Sequence, residues 1–380
     1  MIRAGFDEAG LGPTLGPLVI GGFVTRRRGD EAPAGPMDDL LAPLAEAVGP
    51  PGTRDGRLEV GDSKKIHAGT RKLERIERTA LATVAWVHGR VPRTVAELVA
   101  LVCSQPGERP EDRRGVPWWA RLDEALPVAG ADPGSAAGRG RVEALGEGLR
   151  AAADAAGVEA LWYGADLLSA ARINRELGVE GERGGTKNTW ATHAVLRLSA
   201  VALGSLLTEG EPGQPIEAVS LWCDKAGGRQ AYADPLRRAF PVLAEAGSGP
   251  RVDPSTNLDL FGGAERCPDP YLRILDEARP RSHYRLGLPG LEQGGPLQRV
   301  DLGFVMGGDR LDPRISWASI LAKYLRELIL RGMNRHFAAK VAELRPTAGY
   351  PEDAKRFIAE VEAALGEAGG LPRSKWIRSK

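Results

Sequence analysis

The stretch GFDEAGLGPTLGP, residues 5–17, constrains the fold more than any other part of the chain. Gly10, Gly12, Pro13, Gly16 and Pro17 crowd into a turn between two apolar runs, MIRAGFD and PLVIGGFV. Runs of this composition bounded by Gly and Pro read as strands, and the second pairs back onto the first. The same stretch sets Asp7 and Glu8 at the mouth of the turn, where burying a carboxylate is costly. Adjacent strand residues point to opposite faces. The two acids therefore share a site only if the strand ends or kinks near Ala9–Gly10.

Further along, strands and helices alternate. MDDLLAPLAEAV reads as a short helix interrupted by Pro43, and LEVGDSKKI as a short strand entering a polar turn. AGTRKLERIERTALATVAWV reads as a helix running into a strand. VEALGEGLRAAADAAG and TWATHAVLRLSAVALGSLL read as helices, and VEALWYG and IEAVSLWC as strands, the latter stopping at Asp224. LQRVDLGFVMGG gives another strand, ending at Asp309, and SWASILAKYLRELILRGMNRHFAAKVAEL the longest helix, with Ser316 as its N-cap. A last amphipathic helix, PEDAKRFIAEVEAALGEAG, precedes the basic tail at 371–380. Residues 88–157, with Trp118 and Trp119, and residues 241–298 read as insertions rich in loop residues. An opening hairpin followed by alternating elements indicates one α/β domain with a mixed sheet.

Composition narrows the function classes by exclusion. No apolar run approaches the roughly 20 residues of a membrane helix, and the N-terminus lacks the pattern of a signal peptide. A cytoplasmic protein, monomeric and away from membranes, is expected. Cys103, Cys223 and Cys267 are scattered and odd in number, so no disulfide framework is implied. His67, His88, His193, His283 and His336 show no zinc-ligand spacing. The net charge of +1 gives no bulk argument for nucleic acid, which would need a local basic patch.

Strands thus finish at Asp7 with Glu8, at Asp224 and at Asp309. One acid at a strand end is ordinary turn chemistry. Several converging repel unless a cation lies between them, and hard oxygen donors select Mg²⁺ or Mn²⁺. Such a set suits two ions roughly 4 Å apart acting on a phosphate. Gly10 and Gly12 let backbone N–H groups come close to a sugar or phosphate. Ser63, Lys64 and Lys65 offer a polar basic turn, or simply a solvated one. Lys323 stands four residues before Glu327, which by itself is an ordinary helical ion pair. Lys375, with Arg373, Arg378, Lys380 and Trp376, makes the tail suited to a nucleic-acid backbone, or a solvated terminus.

In order, these motifs resemble ribonuclease HII, the type 2 ribonucleases H. GFDEAGLGPTLGPLVIGG looks like that family's opening strand and loop, DSKK its second motif, ASILAKYLRE its S-I-x-A-K helix, and AGYPEDAKRF its late G-Y motif. The resemblance spans about half the chain. It implies a ribonuclease H-like mixed sheet flanked by helices, with inserted segments. It also implies Mg²⁺- or Mn²⁺-dependent cleavage of the RNA strand of RNA–DNA hybrids, leaving 5′-phosphate and 3′-hydroxyl ends. Asp7, Glu8, Asp224 and Asp309 would hold the metal, and Tyr350 would pack against a sugar beside the junction. Asp312 is the competitor for the last acid. The family's loop carries a basic residue where this chain has Leu11, and Arg229, in DKAGGRQAY, is the candidate to supply that charge. A nuclease for DNA or structured RNA, a phosphotransferase and a non-catalytic nucleic-acid-binding protein remain the alternatives.

Overall fold

The computed structural model describes residues 1–27, 40–104, 106–130, 132–182, 185–209, 218–225, 229–240, 272–288, 298–366 and 371–379. Within these, the opening hairpin forms as β1 (Ile2–Ala9) and β2 (Leu18–Arg27). They pair antiparallel, with Asp7 opposite Gly21 and Glu8 opposite Ile20. Two short strands follow, β3 (Val48–Gly49) and β4 (Leu58–Glu59). Then come β5 (Val158–Leu168), β6 (Val219–Asp224), β7 (Leu272–Glu277), β8 (Arg281–Leu288) and β9 (Gln298–Val305). The main sheet runs β5-β2-β1-β6-β9-β8-β7. β1, β6 and β9 are mutually parallel and the remaining neighbours antiparallel. This is the mixed α/β sheet expected, and the carboxyl ends of β1, β6 and β9 open on one side, where such sheets place ligands.

The helices, in chain order, begin with α1 (Ser63–Ile66), α2 (Lys72–His88), α3 (Val95–Val102), α4 (Pro110–Arg113) and α5 (Pro117–Ala120). They continue with α6 (Ala136–Ala155), α7 (Ala170–Glu182), α8 (Lys187–Glu209), α9 (Ala233–Ala239), α10 (Pro313–Ala338) and α11 (Pro351–Leu365). They cover both faces of the sheet. One core joins Val19 and Phe23 to Trp86, Trp317 and Phe337; the other joins Phe6 and Ile20 to Trp190 and Leu198. Among the described residues no helix is long and apolar enough to cross a membrane.

The element that positions the site is α10, lying across β1 and β2. Gly5 and Gly21 permit the approach: a Cβ at Gly21 would collide with the carbonyl of Ala318, and one at Gly5 with the backbone of Arg314 and Ile315. α10 begins three residues before the expected cap. Asp312 accepts from the Arg314 N–H at 2.8 Å and Pro313, with its fixed φ, takes the first helical position. Ser316 is buried inside the first turn, where its hydroxyl donates to the Gly61 carbonyl and accepts from the Gly61 N–H, both at 2.7 Å.

Other expectations shift for physical reasons. ATVAWV is not a strand; α2 continues to His88 and stops at the left-handed Gly89. Its apolar run is the buried part of a helix, which periodicity cannot separate from a strand. Residues 41–47 form turns and not a helix, while 28–39 lie outside the described residues. The segment 88–157 supplies α3 to α6, and Trp118 is buried against Phe337. Of 241–298, residues 272–288 extend the sheet as a hairpin and the bulk of the rest, Cys267 included, lies outside the described residues. The tail is anchored by its tryptophan: Trp376 is 1% exposed and its ring centroid lies 4.9 Å from that of Phe337, while Arg373 and Ser374 stay exposed.

Candidate active site

Strand β1 ends at Ala9, one residue past its acids, which meets the geometric condition the sequence suggested. Its pairing with β6 stops at Phe6 opposite Cys223, whereas its pairing with β2 continues to Ala9. Asp7 and Glu8 therefore sit on a strand with one free edge. Asp7 folds its Oδ1 back onto the Glu8 N–H at 2.8 Å. Both acids line one cleft of about 570 Å³ together with Asp224 at the end of β6 and Asp309 just beyond β9. Asp312 is not among its lining residues.

A hydrogen-bond network from α10 and α1 holds two of these acids. Lys323 Nζ donates to Ser63 Oγ at 2.5 Å and to Ser319 Oγ at 2.7 Å. Ser63 donates both its hydroxyl (2.6 Å) and its N–H (3.0 Å) to Asp309 Oδ2. Ser319 hydrogen-bonds Asp7 and lies 3.0 Å from Ser63 Oγ. Asp224 accepts from the Gly308 N–H at 2.6 Å. Lys323 thus serves the acids and not Glu327, which pairs with Arg326 at 3.2 Å.

The electrostatics follow from burial and like charge. Burial pushes Asp7 up to about 7, with Asp224 adding to the rise and Lys323 and Ser319 opposing it. Burial also drives Glu8 well above the usual carboxylate range, with Asp7 and Asp224 contributing, and raises Asp224, with Asp309 contributing. Acids that raise one another in this way are relieved by a cation, and their oxygens are the hard donors that Mg²⁺ and Mn²⁺ prefer. Among the described residues no three acid, His or Cys side chains close on a common point as a preformed cage. Three of the acids instead turn an oxygen to a protein donor: Asp7 to Glu8, Asp309 to Ser63, Asp224 to Gly308.

The cleft also takes in Gly10, Gly12, Ser63, Lys64 and Tyr350. Gly10 needs its lack of a side chain, at φ 95°; Gly12 does not, since nothing lies within 4 Å of where its Cβ would sit. Tyr350 is 57% exposed, with the Arg326 guanidinium 5.9 Å from its ring. Three residues named from sequence stand apart. Lys65 is exposed outside the cleft lining. Arg229 donates to Thr189 Oγ1 at 2.6 Å beside Tyr232. Lys375 donates to the carbonyl of Glu111.

His67, Lys72, Arg310 and Arg326 line the cleft without having been singled out. Arg326 was legible, standing one helical turn after Lys323; the others depend on how α1, α2 and the Gly308 turn dock. Burial, then Lys72, Lys323 and Arg326, push His67 down to about 4, so it is neutral at physiological pH.

No protein-family model matches the sequence, and no curated protein matches it. Among solved structures, ribonuclease H2 from Pyrococcus horikoshii OT3 is similar at 16% identity over 100% of this chain and 92% of its own, with TM-score 0.37. A point mutant of Bst-RNase HIII aligns at 12% identity over 99% and 65%, with TM-score 0.37. RNase HII from Archaeoglobus fulgidus, solved with PCNA, aligns at 14% over 99% and 91%, also with TM-score 0.37. Alignments at this level equate no residue with another, so the chemistry of the cleft rests on its own geometry.

Proposed function

We propose that the chain is a metal-dependent endonuclease that cuts the RNA strand of RNA–DNA hybrids, leaving 5′-phosphate and 3′-hydroxyl ends. One observation carries the reading: Asp7, Glu8, Asp224 and Asp309 gather at the carboxyl ends of parallel strands in a cleft that Lys64, Lys72, Arg310, Lys323 and Arg326 also line. Acids alone would repel a phosphodiester; acids with a divalent ion attract it. Mg²⁺ or Mn²⁺ on these four carboxylates would lower the pKa of an attacking water and neutralise charge building on the phosphate.

The protein's own groups supply positioning. Lys323 fixes Ser63 and Ser319, which in turn fix Asp309 and Asp7. The open side of Gly12 leaves room for a sugar-phosphate backbone to lie on the turn, with exposed Tyr350 beside it for a sugar. Lys64, Lys72 and Arg310 ring the mouth of the cleft, where phosphate contacts make affinity salt-dependent. Leu11, uncharged at the turn, favours a second reading in which DNA or structured RNA is the substrate.

The test is Mg²⁺- and Mn²⁺-dependent cleavage of a labelled RNA–DNA hybrid, a DNA duplex with one embedded ribonucleotide, plain DNA duplex and RNA duplex. Hybrid cleavage that disappears in Asp224→Asn is the expected result. Cleavage of plain DNA or RNA duplex in place of the hybrid would move the assignment to the second reading. Metal-dependent cleavage of none of them would overturn both.

A further inference from the structure

The glycine turn rests on a buried arginine, Arg378, that has no matching acid among the described residues. Arg378 is 3% exposed and donates from Nη1 to the Gly10 carbonyl at 2.7 Å, while its N–H bonds the Thr14 carbonyl at 2.9 Å. Its Nε and Nη2 are buried and meet no acceptor, and no carboxylate pairs with it among the described residues. Beside it Arg326, 5% exposed, pairs with Glu327 at 3.2 Å and donates to the Ala348 carbonyl at 2.8 Å, while its Nε lacks an acceptor. That Nε lies 2.7 Å from where a Cβ on Gly10 would be, so the guanidinium is packed directly against the turn. Burial, and then Arg326, push Arg378 down to about 9, so it remains charged at neutral pH.

A buried cation without a counter-ion is costly, and the fold places one, Arg378, directly beneath the turn. The cost is offset if an anion docks on the turn's free side. Gly12 provides the space, and in a low-dielectric surrounding the buried charges act strongly across a single peptide layer. We propose that Arg378, backed by Arg326, forms a positive base for the Gly10–Leu11–Gly12 turn that holds a nucleic-acid backbone phosphate on it, with Arg378 as the positioning residue. This rests on the nucleic-acid reading above, not on hybrid cleavage.

The test measures affinity for a labelled 12-base-pair RNA–DNA hybrid and for the matching DNA duplex, in EDTA, between 50 and 200 mM salt. Arg378→Met is expected to weaken both about tenfold and to lower the log–log salt slope by about one. Arg378→Lys is expected to keep the wild-type slope and to stay within about threefold. An unchanged slope in Arg378→Met, or an equal loss in Arg378→Lys, would overturn the proposal, the latter by showing a purely steric role. If Arg378→Met fails to fold by circular dichroism, Arg378→Gln, which keeps a donor for the Gly10 carbonyl without the charge, decides: a shallower slope supports the proposal and an unchanged one sinks it. Wild-type protein that binds neither duplex also overturns it. Binding of both with no hybrid cleavage leaves the phosphate base standing and removes the ribonuclease reading.

Discussion

At the scale of single residues, the cleft is a place where charge is held against its preference. Asp7 keeps its proton to about pH 7 in the fold, while the unfolded chain loses it near 3.8. Between those values the folded state binds the extra proton, so this group makes stability fall as pH rises through the window. Urea denaturation in EDTA from pH 4.5 to 8 is expected to show that decline, flattened in Asp7→Asn; an identical profile in the two proteins would contradict the account. Mg²⁺ added at pH 8 should raise the melting temperature of the wild type and leave Asp224→Asn nearly unmoved, because only an ion bound by the folded state stabilises it. Ser63→Ala removes the hydroxyl linking Lys323 to Asp309. Its expected signature is a roughly tenfold higher metal requirement for cleavage, seen in a Mg²⁺ titration. The acids and Lys323 could be named from sequence because their motifs are contiguous. His67 could not, since a lone imidazole carries no spacing signal.

At the scale of elements, the cleft exists because one helix lies very close to two strands. Gly5 and Gly21 set that distance, and α10 brings Ser319 and Lys323 over the end of β1. Gly21→Ala would push the helix off the sheet. Overpacking of this kind costs about 1–3 kcal/mol, and the displaced Ser319 and Lys323 should lower cleavage further. Chemical denaturation gives the first quantity and single-turnover rates the second; a variant with native stability and rate would show that the sheet yields freely. The sequence marked both glycines as strand residues but not as contact points, because what crosses a strand is set by a partner about 300 residues away. The early start of α10 has a similar origin: Asp312 and Pro313 outcompete Ser316, which finds Gly61 on another segment.

At the scale of the whole molecule, the C-terminus closes the structure. Trp376 fills the core against Phe337, Ile377 bridges Leu15, and Asn174 of α7 holds the carbonyl of Ile377 at 2.8 Å. Trp376→Ala is expected to cost about 3–5 kcal/mol, as for other large-to-small core changes, measured by urea denaturation. A solvated nucleic-acid arm would instead leave stability untouched and change only the salt dependence of binding. The sequence by itself determined the opening hairpin, the alternation of strands and helices, and the placing of acids at strand ends. These are local properties, written in Gly and Pro positions and in apolar periodicity. Only the tertiary structure decided that Asp7 and Glu8 share a cleft, because β6 stops pairing at Phe6 while β2 does not. It also decided that Arg326 and His67 line that cleft while Lys65, Arg229 and Lys375 stand elsewhere, and that Trp376 and Arg378 of the basic tail are buried. A side chain's type is fixed by the sequence; its surroundings are fixed by whichever distant element packs against it.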